Sequence, residues 1–259
     1  MSKQQKAQIQ FTSFSHSGWQ RNNNEDALLV DAKLGIFLLA DGMGGHAGGE
    51  VASQIACEQV HIALSQQLDI TEAVARAHQQ ILTLGQQQPE LHGLGTTLVA
   101  AQICADKLQL SWVGDSRIYR YRRGKLQQLS EDHSFVQQLI SRGVLTPAEA
   151  DEHPQRHLLQ QALGQLSGKT PKPSFCLEDY QQDDLYLLCS DGVSDVLSEA
   201  ALASCLAHQT PLTQDDLERL AQRLLAAVLA TDAPDNASGI LLQILFGNKP
   251  PMWRRWLGR

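Results

Sequence analysis

Gly35-Ile36-Phe37-Leu38-Leu39-Ala40-Asp41-Gly42-Met43-Gly44-Gly45-His46 is an apolar run that ends in a carboxylate and continues as glycine-rich chain. An unbroken apolar run of this length predicts a strand buried on both faces. The arrangement recurs, because Leu185–Ser190 leads directly into Asp191-Gly192 and Leu110–Gly114 leads into Asp115. Each of these predicted strands delivers an aspartate at its carboxyl end.

A fourth aspartate, in Asp235-Asn236, precedes the last predicted strand at Gly239–Phe246. This is the pattern that carboxylates converging on one rim of a sheet require. Carboxylates gathered in one place cannot all stay ionised without a cation, and Mg²⁺ and Mn²⁺ prefer oxygen ligands. Any single Asp-Gly after a strand is more simply explained as a turn. The four aspartates together favour a divalent-metal site.

The glycine-rich stretch from Asp41 to Glu50 could also belong to a nucleotide-binding loop. It contains no Gly-Lys-Ser/Thr, lacks the G-x-G-x-x-G spacing and lacks the alternating acidic residues of an EF-hand. Its glycines permit close backbone approach and positive φ. A carbonyl beside Asp41 can therefore face a metal ion.

The order of predicted elements indicates the fold class. Short strands are grouped with tight turns between them, and two helical patterns follow one another at Val51–Leu68 and Glu72–Gln87. A further apolar stripe at helical spacing covers residues 217–228. This order favours mostly antiparallel sheets with helices packed outside and disfavours Rossmann and TIM-barrel architectures.

Composition excludes several function classes. The 259 residues carry a net charge of -7, which repels nucleic acid and anionic membranes. The five cysteines form no C-x-x-C pair and are typical of buried thiols in a reducing compartment. No apolar run approaches the roughly 18 residues of a membrane span. We therefore predict a cytoplasmic protein with no transmembrane segment and no nucleic-acid partner.

Several ordered motifs resemble those of the bacterial metal-dependent Ser/Thr protein phosphatases, the PP2C-like or PPM family. They are Arg21-Asn22-Asn23-Asn24-Glu25-Asp26, Asp41–Glu50, Gly95-Thr96-Thr97, Val113-Gly114-Asp115-Ser116-Arg117, Glu131-Asp132-His133-Ser134, Cys189-Ser190-Asp191-Gly192 and Asp235-Asn236. The resemblance spans about residues 9–246. It implies an α+β fold, a four-layer α-β-β-α sandwich in which two antiparallel sheets are flanked by helix pairs.

The resemblance also implies a mechanism with two Mn²⁺ or Mg²⁺ ions. Asp41 would bridge the ions, the Gly42 carbonyl would bind one, and Asp191 and Asp235 would complete the other. A bridging water would attack the phosphorus, since paired metals lower the pKa of bound water. Arg21 would grip the phosphate, because its planar fork matches phosphate oxygens.

Other residues receive more open assignments. Glu25 and Asp26 are expected to hold metal-bound waters or neighbouring donors rather than the ions themselves. Asp115 matches the residue that binds a third ion in bacterial members, although a hairpin turn also explains it. His46 could protonate the leaving group, since an ordinary histidine pKa suits that role. A metal-bound water could do the same, and His46 could simply be a hydrogen-bonding loop residue.

The domain prediction is a phosphatase domain at residues 1–246 and a basic aromatic tail at residues 247–259. Within the domain, the segment Ser134–Leu163 corresponds to a flap beside the metals in the family, while a plain pair of surface helices is the alternative. The tail could contact a partner or a membrane, or could be a disordered terminus.

The expected function is hydrolysis of phosphoserine and phosphothreonine in proteins, opposing a bacterial Ser/Thr kinase and its targets. The expected oligomeric state is a monomer. One alternative is a catalytically inactive scaffold of the same fold that binds phosphoproteins, but that class should lack metal ligands. Another is a phosphatase of a phosphoserine on an anti-sigma-factor antagonist, which differs only in substrate.

Overall fold

The computed structural model describes residues 8–44, 48–104, 106–166 and 169–245. The strands are β1 Gln8–His16, β2 Asp26–Asp31, β3 Ile36–Met43, β4 Gly95–Thr96, β5 Leu98–Cys104, β6 Lys107–Val113, β7 Arg117–Arg122, β8 Lys125–Gln128, β9 Ser174–Glu178, β10 Leu185–Cys189 and β11 Ala237–Leu245. The α-helices are α1 Gly48–Ser65, α2 Ile70–Gln87, α3 Phe135–Ser141, α4 Pro147–Asp151, α5 Asp191–Ser194, α6 Glu199–Leu206 and α7 Gln214–Leu229. A short 3-10 helix covers Pro89–Leu91.

The strands form two sheets in which every described pairing is antiparallel. One sheet has the order β1-β11-β10-β7-β8, and the other has the order β2-β3-β5-β6-β9 with β4 paired to β3. Residues far apart in sequence meet here, since β1 pairs with β11 along its whole length. Tight turns join β2 to β3, β5 to β6 and β7 to β8, as the grouped strand patterns predict.

Three apolar layers hold the sheets and helices together. Alternate side chains of β3, such as Phe37 and Leu39, point between the sheets and pack against Ile240 and Leu242 of β11. The other side chains of β3 pack against α1 and α2. The outer face of the first sheet is covered by α6 and α7. β10 and the Ile36–Ala40 part of β3 are apolar and buried on both faces, because both faces of the central strands are covered.

This arrangement confirms the predicted α-β-β-α sandwich. The helix starts follow the sequence signals, since Asp69 caps α2 and Thr146 with Glu149 forms a capping box at α4. One boundary differs, because β3 continues through Asp41 to Met43 where β4 adds a pairing partner. Among the described residues, no helix is both long and apolar enough to cross a membrane.

Candidate active site

The four predicted aspartates lie at one rim of the sandwich. Asp41 is directly opposite Asp26 in the β2–β3 ladder. Asp191 begins α5 immediately after β10, and Asp115 follows β6. The charges of Asp26, Asp115 and Asp191 all act on Asp41, and the charge of Asp235 acts on Asp191. The structure therefore brings these five carboxylates together.

Two threonines fix the backbone of Asp41. The Asp41 amide donates to Thr97 Oγ1 at 3.0 Å, and the Thr97 amide donates back to the Asp41 carbonyl at 2.9 Å. Thr96 Oγ1 donates to the same carbonyl at 2.8 Å. Both threonines are buried, so these hydrogen bonds are shielded from solvent. Gly95-Thr96-Thr97 of the sequence motif thus acts through the Asp41 backbone.

Glycine is required beside two of the aspartates. A side chain at Gly42 would collide with the carbonyls of Gly49 and Glu25, and the Gly42 amide donates to the Glu25 carbonyl at 3.1 Å. A side chain at Gly192 would collide with the Asn236 carbonyl. The Asp-Gly pairs of the sequence are therefore sites of close backbone contact between strand ends.

Asn236 ties the two ends of the rim together. Its Oδ1 accepts from the Glu25 amide at 2.8 Å, and its Nδ2 donates to the carbonyls of Ser17 and Asn23 at 2.9 and 2.8 Å. The side chain is 5% exposed and uses both of its polar atoms. It holds the loop between β1 and β2, which carries Arg21, against the start of β11.

Arg21 pairs with Asp235 in this arrangement. The guanidinium Nη2 lies 2.6 Å from Asp235 Oδ2. The Arg21 side chain is 56% exposed and the Asp235 side chain is 36% exposed. The hydrogen bond and charge of Asp235 raise the pKa of Arg21, with smaller contributions from Glu25 and Asp191. Arg21 is thus a cation that faces this acidic rim, and more than half of its side-chain surface stays open to solvent.

Burial and mutual repulsion keep protons on the cluster. Burial, together with the charge of Asp191, raises the pKa of Asp41 well above its ordinary value. Asp191 shifts in the same direction, through burial and the charge of Asp115. Burial raises the pKa of Asp26 to about 6, although Ser190 Oγ donates to Asp26 Oδ2 at 3.0 Å. These groups favour an added positive charge.

The cluster fits divalent cations by its chemistry. Asp26 Oδ1 is buried and has no hydrogen-bond partner, so this oxygen can accept from a further donor such as an ordered water. In the described ranges, no group of three or more His, Cys, Asp or Glu side chains is arranged as it stands to hold an ion. Instead the side chains of Asp41 and Asp191 are hydrogen-bonded to each other, and Asp235 forms an ion pair with Arg21. Divalent cations would replace both the shared proton and the arginine.

The sequence did not reveal a second group of charges behind Asp115. Arg117 holds Asp132 through a fork, with Nη2 2.7 Å from Oδ2 and Nε 3.1 and 3.0 Å from the two oxygens. Asp195, one helical turn after Asp191, also acts on Asp115. His133 accepts from the Gly114 amide at 3.3 Å and contacts Ser174 Oγ at 2.9 Å. The family motifs contain Arg117, Asp132 and His133 without giving them a role, and the i, i+4 spacing of Asp191 and Asp195 is a further signal in the sequence.

The electrostatics of Asp115 give a testable pH dependence. Burial, followed by the charges of Asp132 and Asp195, raises the pKa of Asp115 to about 7. The folded protein therefore keeps a proton that the unfolded chain loses near pH 4, so this contribution to stability is lost as pH rises from about 4 to about 7. We expect the free energy of unfolding of Asp115→Asn, which is always neutral, to exceed that of wild type by a margin that grows by at least about 1 kcal/mol between pH 4.5 and pH 8 in EDTA.

Urea unfolding of both proteins at the two pH values measures this difference. Each variant is compared with wild type at the same pH, which cancels the titration of all other groups. A gap that stays constant between pH 4.5 and pH 8 would contradict the assignment of a raised pKa to Asp115.

Three further predictions concern His46, the tail at residues 247–259 and the segment Ser134–Leu163. His46 and residues 247–259 lie outside the described residues. The segment Ser134–Leu163 contains α3 and α4, and its last residue pairs with Thr96 through two backbone hydrogen bonds of 3.0 and 2.9 Å. His157 of this segment lies 3.5 Å from Asp195. The segment is therefore attached to the rim at both Asp195 and Thr96.

Comparison with known proteins identifies the family. The family model described as Protein phosphatase 2C matches residues 16–230. The chain belongs to the protein phosphatase 2C family. It is 36% identical over 258 residues to the Ser/Thr protein phosphatase PstP of Mycobacterium tuberculosis, and the match covers 94% of this chain and 47% of PstP. The chain thus spans about half the length of that relative.

Other members of the protein phosphatase 2C family match over most of their own length. The Ser/Thr phosphatase stp of Listeria innocua is 32% identical, with 75% of this chain and 81% of that protein covered. The structure of the PstP catalytic domain in complex with two manganese ions superposes with a TM-score of 0.79 and 32% identity, covering 92% of this chain and 99% of that one. The resemblance seen in the sequence motifs is confirmed.

Proposed function

We propose that this chain is a metal-dependent protein Ser/Thr phosphatase that hydrolyses phosphoserine and phosphothreonine. The observation that carries the proposal is the buried group of carboxylates around Asp41, whose pKa values call for added positive charge. Relatives with this fold are named Ser/Thr phosphatases, and one is described with two manganese ions. All four aspartates expected of an active member are present, so an inactive phosphoprotein-binding scaffold is not favoured.

The proposed metal ligands are Asp41, the Gly42 carbonyl, Asp191 and Asp235, with Asp115 and Asp191 as the acidic groups for a third ion. When bound, Mn²⁺ or Mg²⁺ would supply a water of lowered pKa as the nucleophile and positive charge for the transition state. The threonine contacts hold Asp41 in one position for this task. Glu25 and Asp26, both with raised pKa, would orient water near the ions.

Arg21 has two partners in this scheme. It neutralises Asp235 in the described arrangement, and a cation on Asp235 would free the guanidinium for the substrate phosphate. Its fork can bind two phosphate oxygens at once. The loop that carries it is held by Asn236, so the head group stays at the rim during this exchange. His46 is proposed as a donor to the leaving oxygen, with a metal-bound water as the alternative.

The biological setting is proposed from the same family membership. The substrates would be phosphorylated proteins, with a Ser/Thr kinase and its targets as the opposing system. We propose a cytoplasmic monomer whose phosphatase domain spans residues 1–246, with residues 247–259 as a separate basic tail. The segment Ser134–Leu163 would act as a flap, which its contact with Asp195 supports.

Metal removal tests the proposed function. We expect wild type with Mn²⁺ to hydrolyse both p-nitrophenyl phosphate and a phosphothreonine peptide, because the buried carboxylate cluster favours added positive charge. EDTA should reduce turnover by at least about a thousandfold, and excess Mn²⁺ should restore it. Phosphate release measures the rate. Turnover that persists in EDTA would overturn the metal mechanism, whereas peptide binding without turnover in Mn²⁺ would support the scaffold alternative.

A further inference from the structure

Trp19 combines exposure with a fixed orientation. The side chain is 61% exposed on the loop between β1 and β2. Its Nε1 donates to the Leu229 carbonyl at 3.0 Å, and its amide donates to the Ala233 carbonyl at 2.9 Å. Its ring packs edge-on against His16, with ring centroids 5.3 Å apart. Single exposed apolar residues are common, but these contacts hold the indole in one position while much of its surface stays open.

The loop that carries Trp19 also carries Arg21, the proposed phosphate-binding residue. Trp19 and Arg21 are two residues apart, so their Cα atoms lie at most about 7 Å apart. The same loop is attached to the rim at Asp235 through Arg21 and at Asn236 through Ser17 and Asn23. A substrate whose phosphate reaches Arg21 therefore has its neighbouring residues within reach of the indole.

The charges near Trp19 bear on which substrate side chain the indole would bind. The Trp19 amide contacts Ala233, which directly follows the exposed carboxylate Asp232. In the proposed function a cation pairs with Asp235 and the substrate phosphate pairs with Arg21, so Asp232 is the carboxylate that counts here. The whole chain has a net charge of -7. A cation placed over the face of tryptophan gains energy from the ring quadrupole, and nearby carboxylates add to that gain.

We propose that Trp19 is a substrate-docking residue that binds a Lys or Arg side chain close to the phosphorylated residue of a protein substrate. The inference deepens the proposed phosphatase function and rests on it. The occupant is a basic segment of the substrate polypeptide, because the loop that holds the exposed indole also carries Arg21, the backbone of Trp19 contacts the residue next to the exposed Asp232, and the chain has a net charge of -7. Acidic flanking residues are disfavoured at the same position.

The test compares three substrates. Two phosphothreonine peptides are identical except that arginines flank the phosphothreonine in one and glutamines in the other, and p-nitrophenyl phosphate has no flanking residue. The proteins are wild type, Trp19→Ala, Trp19→Phe and the control Leu34→Ala. Leu34 is also exposed but lies in the β2–β3 turn, at the opposite end of these strands from Asp26 and Asp41.

Wild type should prefer the arginine peptide by about two- to fivefold in kcat/KM, through a lower KM. Trp19→Ala should lose this preference and keep wild-type kcat/KM on p-nitrophenyl phosphate. Trp19→Phe should keep part of the preference, because an aromatic face remains, and Leu34→Ala should match wild type on all three substrates.

Two results would overturn the inference while leaving the phosphatase function intact. One is an undiminished arginine preference in Trp19→Ala. The other is an equal loss on the peptides and on p-nitrophenyl phosphate, which would assign Trp19 a purely structural role. If wild type with Mn²⁺ turns over none of the substrates, the proposed function fails and the docking role fails with it.

Discussion

Asp41→Asn is expected to lower Mn²⁺-dependent turnover of a phosphothreonine peptide by at least about a thousandfold. Asp41 lies at the centre of the rim, where the charges of Asp191, Asp26 and Asp115 converge on it. An amide has the same size as the carboxylate but supplies no negative charge for a bridging position. The Thr96 and Thr97 contacts involve the Asp41 backbone, so they survive the substitution. The measurement is kcat across a Mn²⁺ titration, and Asp191→Ala should show a similar loss.

Stability separates loss of ligation from loss of folding in this experiment. Asp41→Asn removes one ionisable group from a buried acidic cluster, so in EDTA the variant should be at least as stable as wild type. The matched control is Asp215→Asn, because Asp215 is an exposed carboxylate in the first turn of α7. A variant that folds normally and retains more than a tenth of wild-type turnover would show that Asp41 is not a required metal ligand.

Arg117→Leu is expected to destabilise the fold by about 3–5 kcal/mol at pH 8. Arg117 forms a forked ion pair with Asp132, and the exposed fractions of the two side chains are 26% and 10%. Burial opposes the charge of Arg117, but the hydrogen bond and charge of Asp132 outweigh it and raise the pKa of Arg117. Removing the cation leaves Asp132 buried without its partner. The loss should shrink at pH 5, where the nearby Asp115, of pKa about 7, is neutral.

The control for this prediction is Arg76→Leu. Arg76 pairs with Glu72 at 2.6 Å across one helical turn, and both side chains are about half exposed at 50% and 46%. Such a pair contributes at most about 0.5 kcal/mol. Adding Asp132→Asn to Arg117→Leu should recover part of the stability, because no charge is then left unpaired. Urea unfolding that gives equal losses for the two arginine variants would contradict this account of the Arg117–Asp132 pair.

Local patterns predicted the layers of the fold well. The apolar runs before Asp41 and Asp191 correspond to β3 and β10, and the stripe at residues 217–228 lies within α7. Strand β1 was missed, although Ile9 and Phe11 alternate with polar residues, because Ser and Thr weaken the apolar face. Strand β9 was missed for a related reason. Its apolar residues Phe175 and Leu177 are 59% and 56% exposed, so no buried run marks the strand.

Local patterns could also locate some residues of the candidate site but not others. Aspartates at strand ends could be located because each follows or precedes an apolar run, and their convergence follows from sheet geometry. The roles of Arg117 and Asn236 could not be located in this way. Arg117 acts through Asp132 and Asn236 acts through Ser17 and Asn23, and these contacts depend on how distant segments pack. Such pairings leave no periodic trace in the sequence.

The pairing of β1 with β11 has a consequence for when the protein becomes active. The Ser15 and Ser238 side chains bond across a separation of 223 positions, and Asn236 joins the first loop to the last strand. Contacts of such high sequence separation form slowly, because closing a long loop costs entropy before it gains contacts. Turnover should therefore appear only when the last strand has docked. A partly synthesised chain that has collapsed around α1 and α2 but lacks β11 would therefore not hydrolyse phosphoproteins.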